Sequence, residues 1–171
     1  MARGPAKLLR LWYVLALTSC ATAQFRDGVY DDGVVRYRVG GLDRRFEQVE
    51  VGDNDLAWYS RGLGTISVNS TCSDYEDVPS VALMNHLLFG TSERRYRLEE
   101  TTTLDGRGAL HVVADVELDG VPVSLDIYVL KKDGCVYDLS HICARDVFEH
   151  ARPLFAAFVS QFKVLQTHLT Q

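Results

Sequence analysis

The sequence lacks every common catalytic signature. Its 171 residues contain no phosphate-loop, dinucleotide-binding, nucleophile-elbow or HExxH pattern. No local motif therefore supports nucleotide hydrolysis, Rossmann-type cofactor chemistry, serine-hydrolase action or zincin proteolysis. Cysteines number four and no two are spaced C-x-x-C, which removes the thioredoxin-like and zinc-knuckle readings. Basic residues are in deficit, 18 against 23 acidic. Such a balance argues against nucleic-acid binding through phosphate contacts and against a polybasic membrane patch. No internal repeat and no low-complexity tail interrupts a one-domain length, and neither cofactor nor metal is indicated.

What is present begins at the N-terminus. Arg3, Lys7 and Arg10 precede a wholly apolar stretch, Leu11 to Leu17, and then small residues. A basic head, a short apolar stretch and small residues make a secretory signal. The stretch is far shorter than the roughly 18–20 apolar residues that span a bilayer. Leu17-Thr18-Ser19-Cys20 resembles the lipobox of bacterial lipoproteins, which implies a signal peptide over residues 1–19 and lipidation, palmitate included, of Cys20. Ala21-Thr22-Ala23 also fits ordinary A-x-A cleavage before Gln24. The lipobox is preferred because its cysteine stands where acylation needs it. Acyl chains add roughly 0.8 kcal/mol per buried CH₂, so two or three would hold the protein to a membrane. Ala21 in place of aspartate implies, by resemblance to lipoprotein sorting, the outer membrane with the protein facing the periplasm. Loss of residues 1–19 removes three basic residues and no acidic one, leaving a net charge of −8. Solubility accounts for that acidity.

Five Asp-Gly pairs, at 27–28, 32–33, 105–106, 119–120 and 133–134, punctuate the chain. Asp-Gly is a hairpin-turn signal because glycine, and aspartate more readily than most residues, accept positive φ. The segments Tyr96–Leu104, Ala109–Leu118, Val121–Lys131 and Cys135–Cys143 read as an antiparallel meander. A two-residue turn at Asp119-Gly120 pairs Leu118 with Val121, Val116 with Val123, Ala114 with Leu125, Val112 with Ile127 and Leu110 with Val129. That face is wholly apolar and reads as the core side. At Gly134 a three-residue turn, Lys132 to Gly134, is expected, because it sets Tyr137 opposite Val129 and Leu139 opposite Ile127. A two-residue turn would set Ser140 opposite Ile127.

Cys135 and Cys143 then share a strand face about 27 Å apart at the usual strand rise, too far to bond each other. Cys72 ends the inward-facing alternation Ile66, Val68, Ser70. An exported chain meets oxidising conditions, so Cys72 is expected to bond Cys135 or Cys143, leaving one buried free thiol. One helix is expected over 78–89, capped by Asp77 and stopped by Gly90. A second is expected over 146–165, with Phe148, Ala151, Phe155, Phe158, Phe162 and Leu165 on one side and Pro153 as a kink or a start. Residues 28–39 read as an N-terminal hairpin around Asp32-Gly33.

Strand, helix, meander and phenylalanine-rich terminal helix come in that order. The local text is Thr65-Ile66-Ser67-Val68-Asn69, the helix after Pro79, Glu99 to Gly106 and Phe155 to Phe162. Over about residues 42–166 this resembles the PsbP-like fold, the α/β sandwich of the photosystem II accessory protein and its relatives. The chain also resembles uncharacterised envelope lipoproteins of Gram-negative bacteria. The fold class is accordingly α+β, an antiparallel twisted sheet with two helices packed on it. Residues 20–41 form a lipidated N-terminus with its hairpin, 42–166 a single domain and 167–171 a tail. The resemblance implies a non-catalytic accessory or binding role, with an envelope protein or small ligand as partner. No manganese, calcium or chloride site carries over.

Three candidate sites remain. Trp58 and Tyr59 beside the turn 60–64 read as a binding edge, with core packing the competing reading for Trp58. His111, Asp115 and Asp126 share the polar face of the central hairpin and suit acid–base work only under a covering cleft. Uncovered, they are a solvated surface, the preferred reading. His141 and Cys143 lie two apart on one face, where a thiol–imidazole pair competes with a buried structural cysteine, again preferred. His86 and His150 are expected on exposed helix faces.

Overall fold

The computed structural model describes residues 23–52, 54–72 and 77–167. Cys20, the signal segment and both cleavage sites lie outside the described residues. The elements are β1 (Gln24–Arg26), β2 (Val29–Asp31), β3 (Val35–Arg38), β4 (Glu47–Val49), β5 (Leu56–Ser60), β6 (Gly64–Cys72), α1 (Ser80–Leu87), β7 (Thr91–Leu104), β8 (Arg107–Leu118), β9 (Val121–Lys132), β10 (Cys135–Ala144), α2 (Phe148–Ser160) and β11 (Lys163–Thr167). Seven strands form one antiparallel sheet in the order β4-β5-β6-β10-β9-β8-β7, and four form a second in the order β1-β2-β3-β11.

Four of the five Asp-Gly pairs hold both residues at positive φ: 51° and 73° at 27–28, 47° and 74° at 105–106, 50° and 77° at 119–120, and 52° and 76° at 133–134. These are two-residue hairpin turns whose twist matches that of the strands they join. The fifth pair differs. Only Gly33 is positive, and the Asp32 carboxylate accepts the Val34 and Val35 N–H groups at 2.8 and 2.7 Å.

The β8–β9 register is the one the turn at 119–120 dictates, Leu118 on Val121 through Leu110 on Val129. The β9–β10 turn has two residues, not the expected three. Ser140 stands opposite Ile127, and Tyr137 opposite Leu130. The cause is that the large sheet is covered on both faces. Strand β10 sends Cys135, Tyr137, Leu139, His141 and Cys143 to the face opposite Val112, Ile127 and Val129, where a second apolar layer receives them. Its alternate residues reach the other face, where Ser140 and Ser67 hydroxyls share a hydrogen bond of 2.7 Å.

That second layer is α2 together with the four-stranded sheet. Tyr30, Tyr37, Phe155, Phe158 and Phe162 pack on Trp58, Ile66, Val68, Tyr137 and Leu139 in the main core. Tyr37 meets Tyr137 edge-on with centroids 6.0 Å apart, and Phe158 meets Trp58 at 5.5 Å. The opposite face carries α1, whose Met84 and Leu88 cover Leu110, Val112, Ala114, Val116, Leu125, Ile127 and Val129.

The terminal helix is shorter than its sequence pattern. It stops at Ser160, and residues 163–167 turn back as β11 to pair with β3. Phe162 and Val164 keep their burial as loop and strand residues. Pro153 sits inside the helix. Helix α1 starts at Ser80 after Pro79 with no side-chain cap, and Gly90 at φ 84° follows its end, as a helix stop requires. Cys72 and Cys135, direct partners across β6 and β10, are disulfide-bonded, and Cys143 is free and buried.

Candidate functional site

Two of the polar trio of the central hairpin are not solvated: helix α2 lies over His111, 4% exposed, and Asp126, 1% exposed, while Asp115 stays partly exposed. His111 Nε2 lies 2.8 Å from Asp126 Oδ1, its Nδ1 lies 3.4 Å from Glu100 Oε1, and its ring stacks on Tyr128 at 3.9 Å. Arg152 of α2 approaches Asp126 Oδ2 at 3.8 Å. Asp115 accepts the Ser124 hydroxyl at 2.6 Å. An imidazole held between two carboxylates can in principle relay a proton, but here it is packed under a helix. The arrangement satisfies buried polar groups, as such burial demands.

His141 and Cys143 do share a face, yet they form no catalytic pair. His141 Nε2 donates to the Leu63 carbonyl at 2.7 Å, which makes Nδ1 the bare nitrogen, buried without a partner among the described residues. Burial lowers the His141 pKa and keeps the ring neutral. The Cys143 thiol packs with Val113 and Phe148, and burial pushes it up to about 11. A thiol so placed is not a nucleophile at neutral pH.

Trp58 and Tyr59 do not make one edge, because successive strand residues point to opposite faces. Trp58 is 7% exposed, in the core between Phe25 and Phe158. Tyr59 is 49% exposed on the other face.

One open feature of the molecule is a groove of about 500 Å³ where α1 leaves part of the large sheet uncovered. Val78, Ala82, Leu83, His86 and Leu87 of the helix side line it, facing Asn69, Thr71, Val129, Val136 and Asp138 of the sheet. The arrangement follows from sequence. On this face β8 and β9 are apolar and draw α1 onto themselves, whereas β6 and β10 present Ser67, Asn69, Thr71, Asp138 and Ser140. A mixed groove with apolar walls and a few converging polar groups is the usual form of a binding site.

Asp138 marks the groove chemically. It faces Asn69 across the β6–β10 pair. Burial above all, and then the Asp55 carboxylate, push its pKa up to about 7, against which Asn69 offers one opposing hydrogen bond. Asp55 itself is raised by burial while it accepts hydroxyl hydrogen bonds from Tyr37 at 3.0 Å and Ser70 at 2.5 Å. Sequence reasoning missed Asp138. The available signal was a lone acid in the middle of a strand, between Tyr137 and Leu139.

The Asp138 shift carries a testable sign. The unfolded carboxyl ionises near 3.8 and the folded one near 7. Between those values the folded state holds the proton that the unfolded state has lost, so stability falls as pH rises and levels off above about 7. Three pH units correspond to at most about 4 kcal/mol, and partial exposure reduces that to about 2 kcal/mol. Asp138→Asn is therefore expected to match the native protein near pH 4 and to melt about 4–8 °C higher at pH 8. Equal melting at pH 8 would show that the carboxyl ionises at its ordinary value.

No protein-family model and no curated protein sequence matches this chain. Solved structures do resemble it. The solution structure of cyanobacterial PsbP (CyanoP) from Synechocystis is 14% identical with a TM-score of 0.55, the match covering 90% of this chain and 98% of that one. LpqN of Mycobacterium tuberculosis, described as involved in cell envelope biogenesis, is 10% identical with a TM-score of 0.54 over 77% of this chain and 86% of its own. At these identities the likeness is one of fold. Two helices on antiparallel sheets make this chain an α+β sandwich, and its fold is similar to that of CyanoP.

Proposed function

We propose that this protein is a non-catalytic accessory or binding module of the bacterial cell envelope, held to a membrane by lipid on Cys20. On this reading it works through the groove beside α1. One observation carries the binding half: the groove is amphiphilic, and Asp138 in it has no cationic partner among the described residues. The fold supports the non-catalytic half, since His111 and Asp126 are spent on each other beneath α2. The envelope half rests on the lipobox-like Leu17 to Cys20 and on the shared fold of LpqN, a protein described as acting in envelope biogenesis.

Two measurements test the proposal. In cells, the native chain is expected to take up labelled palmitate and to fractionate with the outer membrane, and Cys20→Ser to lose both. Retention of Cys20→Ser in the membrane fraction would remove the anchor. An intact mass of unmodified protein starting at Gln24 would favour a soluble periplasmic binder instead. For the groove, Ala82→Trp places an indole at the mouth from an exposed helix position. Mild crosslinking followed by recovery is expected to lose its partner in this variant, and unchanged recovery would move the binding work elsewhere.

A further inference from the structure

We infer that the groove beside α1 takes an organic ammonium ion, with the charged nitrogen on the Asp138 carboxylate and a short apolar body along Leu83, Leu87, Val129 and Val136. The inference rests on the binding role assigned to this groove and names its ligand class.

The argument begins with what the protein itself offers Asp138. The Asn69 amide oxygen accepts the Asp55 N–H at 3.1 Å. That contact fixes the side chain so that its NH₂ is the group left for the Asp138 carboxyl. One neutral donor is weak compensation for a carboxylate drawn out of water. The other charged groups nearby do not supply the missing cation. Asp55 is an acid and repels. Lys131, on β9, directs its ammonium to the Val78 carbonyl at 3.1 Å. His86, on the α1 wall, is exposed to water at the rim. Asp138 is thus a largely buried acid with one neutral donor and no ion pair among the described residues, and a cation arriving in the groove would meet little competition from them.

Shape and lining narrow the class further. A metal ion would need several hard oxygen ligands, and no cluster of three or more potential metal-binding side chains exists among the described residues. An ammonium group needs only a few acceptors. The Asp138 carboxylate and the Thr71 hydroxyl provide them from adjacent strands. A volume of about 500 Å³ leaves room for an apolar body, and the walls are mostly aliphatic. An anionic ligand would face the Asp138 carboxylate, and a neutral one would gain nothing from its charge.

The test uses three probes of matched chain length, hexylammonium, hexanol and hexanoate, titrated calorimetrically into the full-length mature protein. Hexylammonium is expected to bind, and Asp138→Asn to weaken it at least tenfold while keeping the fold. Binding at pH 6 is expected to release a proton, seen as a dependence of the heat on buffer ionisation, because the cation favours ionised Asp138. At pH 8 that release disappears. A structural role for Asp138 alone would move stability but not proton release. If hexanol or hexanoate binds as tightly as hexylammonium, or Asp138→Asn binds it unchanged, the ammonium class is overturned and the groove remains a binding site. If no probe binds while Ala82→Trp still loses the crosslinked partner, the inference falls and the functional reading stands. If Ala82→Trp also keeps its partner, both fall.

Discussion

Gly64→Ala is expected to abolish folding. Gly64 opens β6 at φ 93°, a region that L side chains rarely enter. An added Cβ would sit 2.1 Å from the Ile142 carbonyl oxygen and 2.6 Å from the Cys143 Cβ. Both belong to the central strand β10, where backbone cannot yield without breaking the ladder between β6 and β10. The strain and the overlap act together, and the sum exceeds the roughly 4–5 kcal/mol that marks an exceptional point mutation. A domain stable by about 5–15 kcal/mol has little left after that loss. Gly62→Ala is the matched control. Its φ is 86°, yet nothing lies within 4 Å of the added carbon, so it should cost only the positive-φ strain of about 1–2 kcal/mol. Circular dichroism melts of the two variants check this. A folded Gly64→Ala protein melting within a few degrees of Gly62→Ala would refute the close approach of β6 to β10.

The second large effect belongs to the disulfide. Cys72 and Cys135 are 63 residues apart in sequence. Closing a loop of that length in the unfolded chain is worth about 4 kcal/mol in the chain-entropy model. The double variant Cys72→Ala, Cys135→Ala is therefore expected to lower the urea midpoint by more than about 1 M, given slopes of roughly 1–3 kcal/mol per M. Reduction of the native protein should reproduce the shift, since Cys143 is buried and takes no part. Coincident urea curves for native and double-variant protein would show that the bond adds nothing to stability.

These two sites also show how far the sequence could be read. The bond was legible as Cys72 with Cys135 or Cys143, because strand geometry forbids a link between the last two. The choice between them depended on the register of β10. The three-residue turn expected there fails because the sheet has no single core side. Val112, Ile127 and Val129 face α1, while Tyr137, Leu139 and Cys143 face the other layer. A strand buried on both faces carries apolar residues at both parities, so pairing like with like no longer selects a register. A single core side would likewise have put His111 and Asp126 in water. By contrast, the β8–β9 pairing was fully legible, because a two-residue Asp119-Gly120 turn fixes it locally. Gly64 could be seen as a turn glycine, but not as a contact with a strand almost eighty residues away. Asp138 was missed because its character depends on Asp55, Asn69 and the helix wall, none of them near it in the chain.

The two layers of the molecule also set a direction. Strand β1 begins at Gln24 in the four-stranded layer, whereas α1 and its groove lie on the far face of the large sheet. Any tension applied through the residues before Gln24 reaches the body from behind. On the anchor proposed above, the groove would therefore open on the side of the body away from the point of attachment.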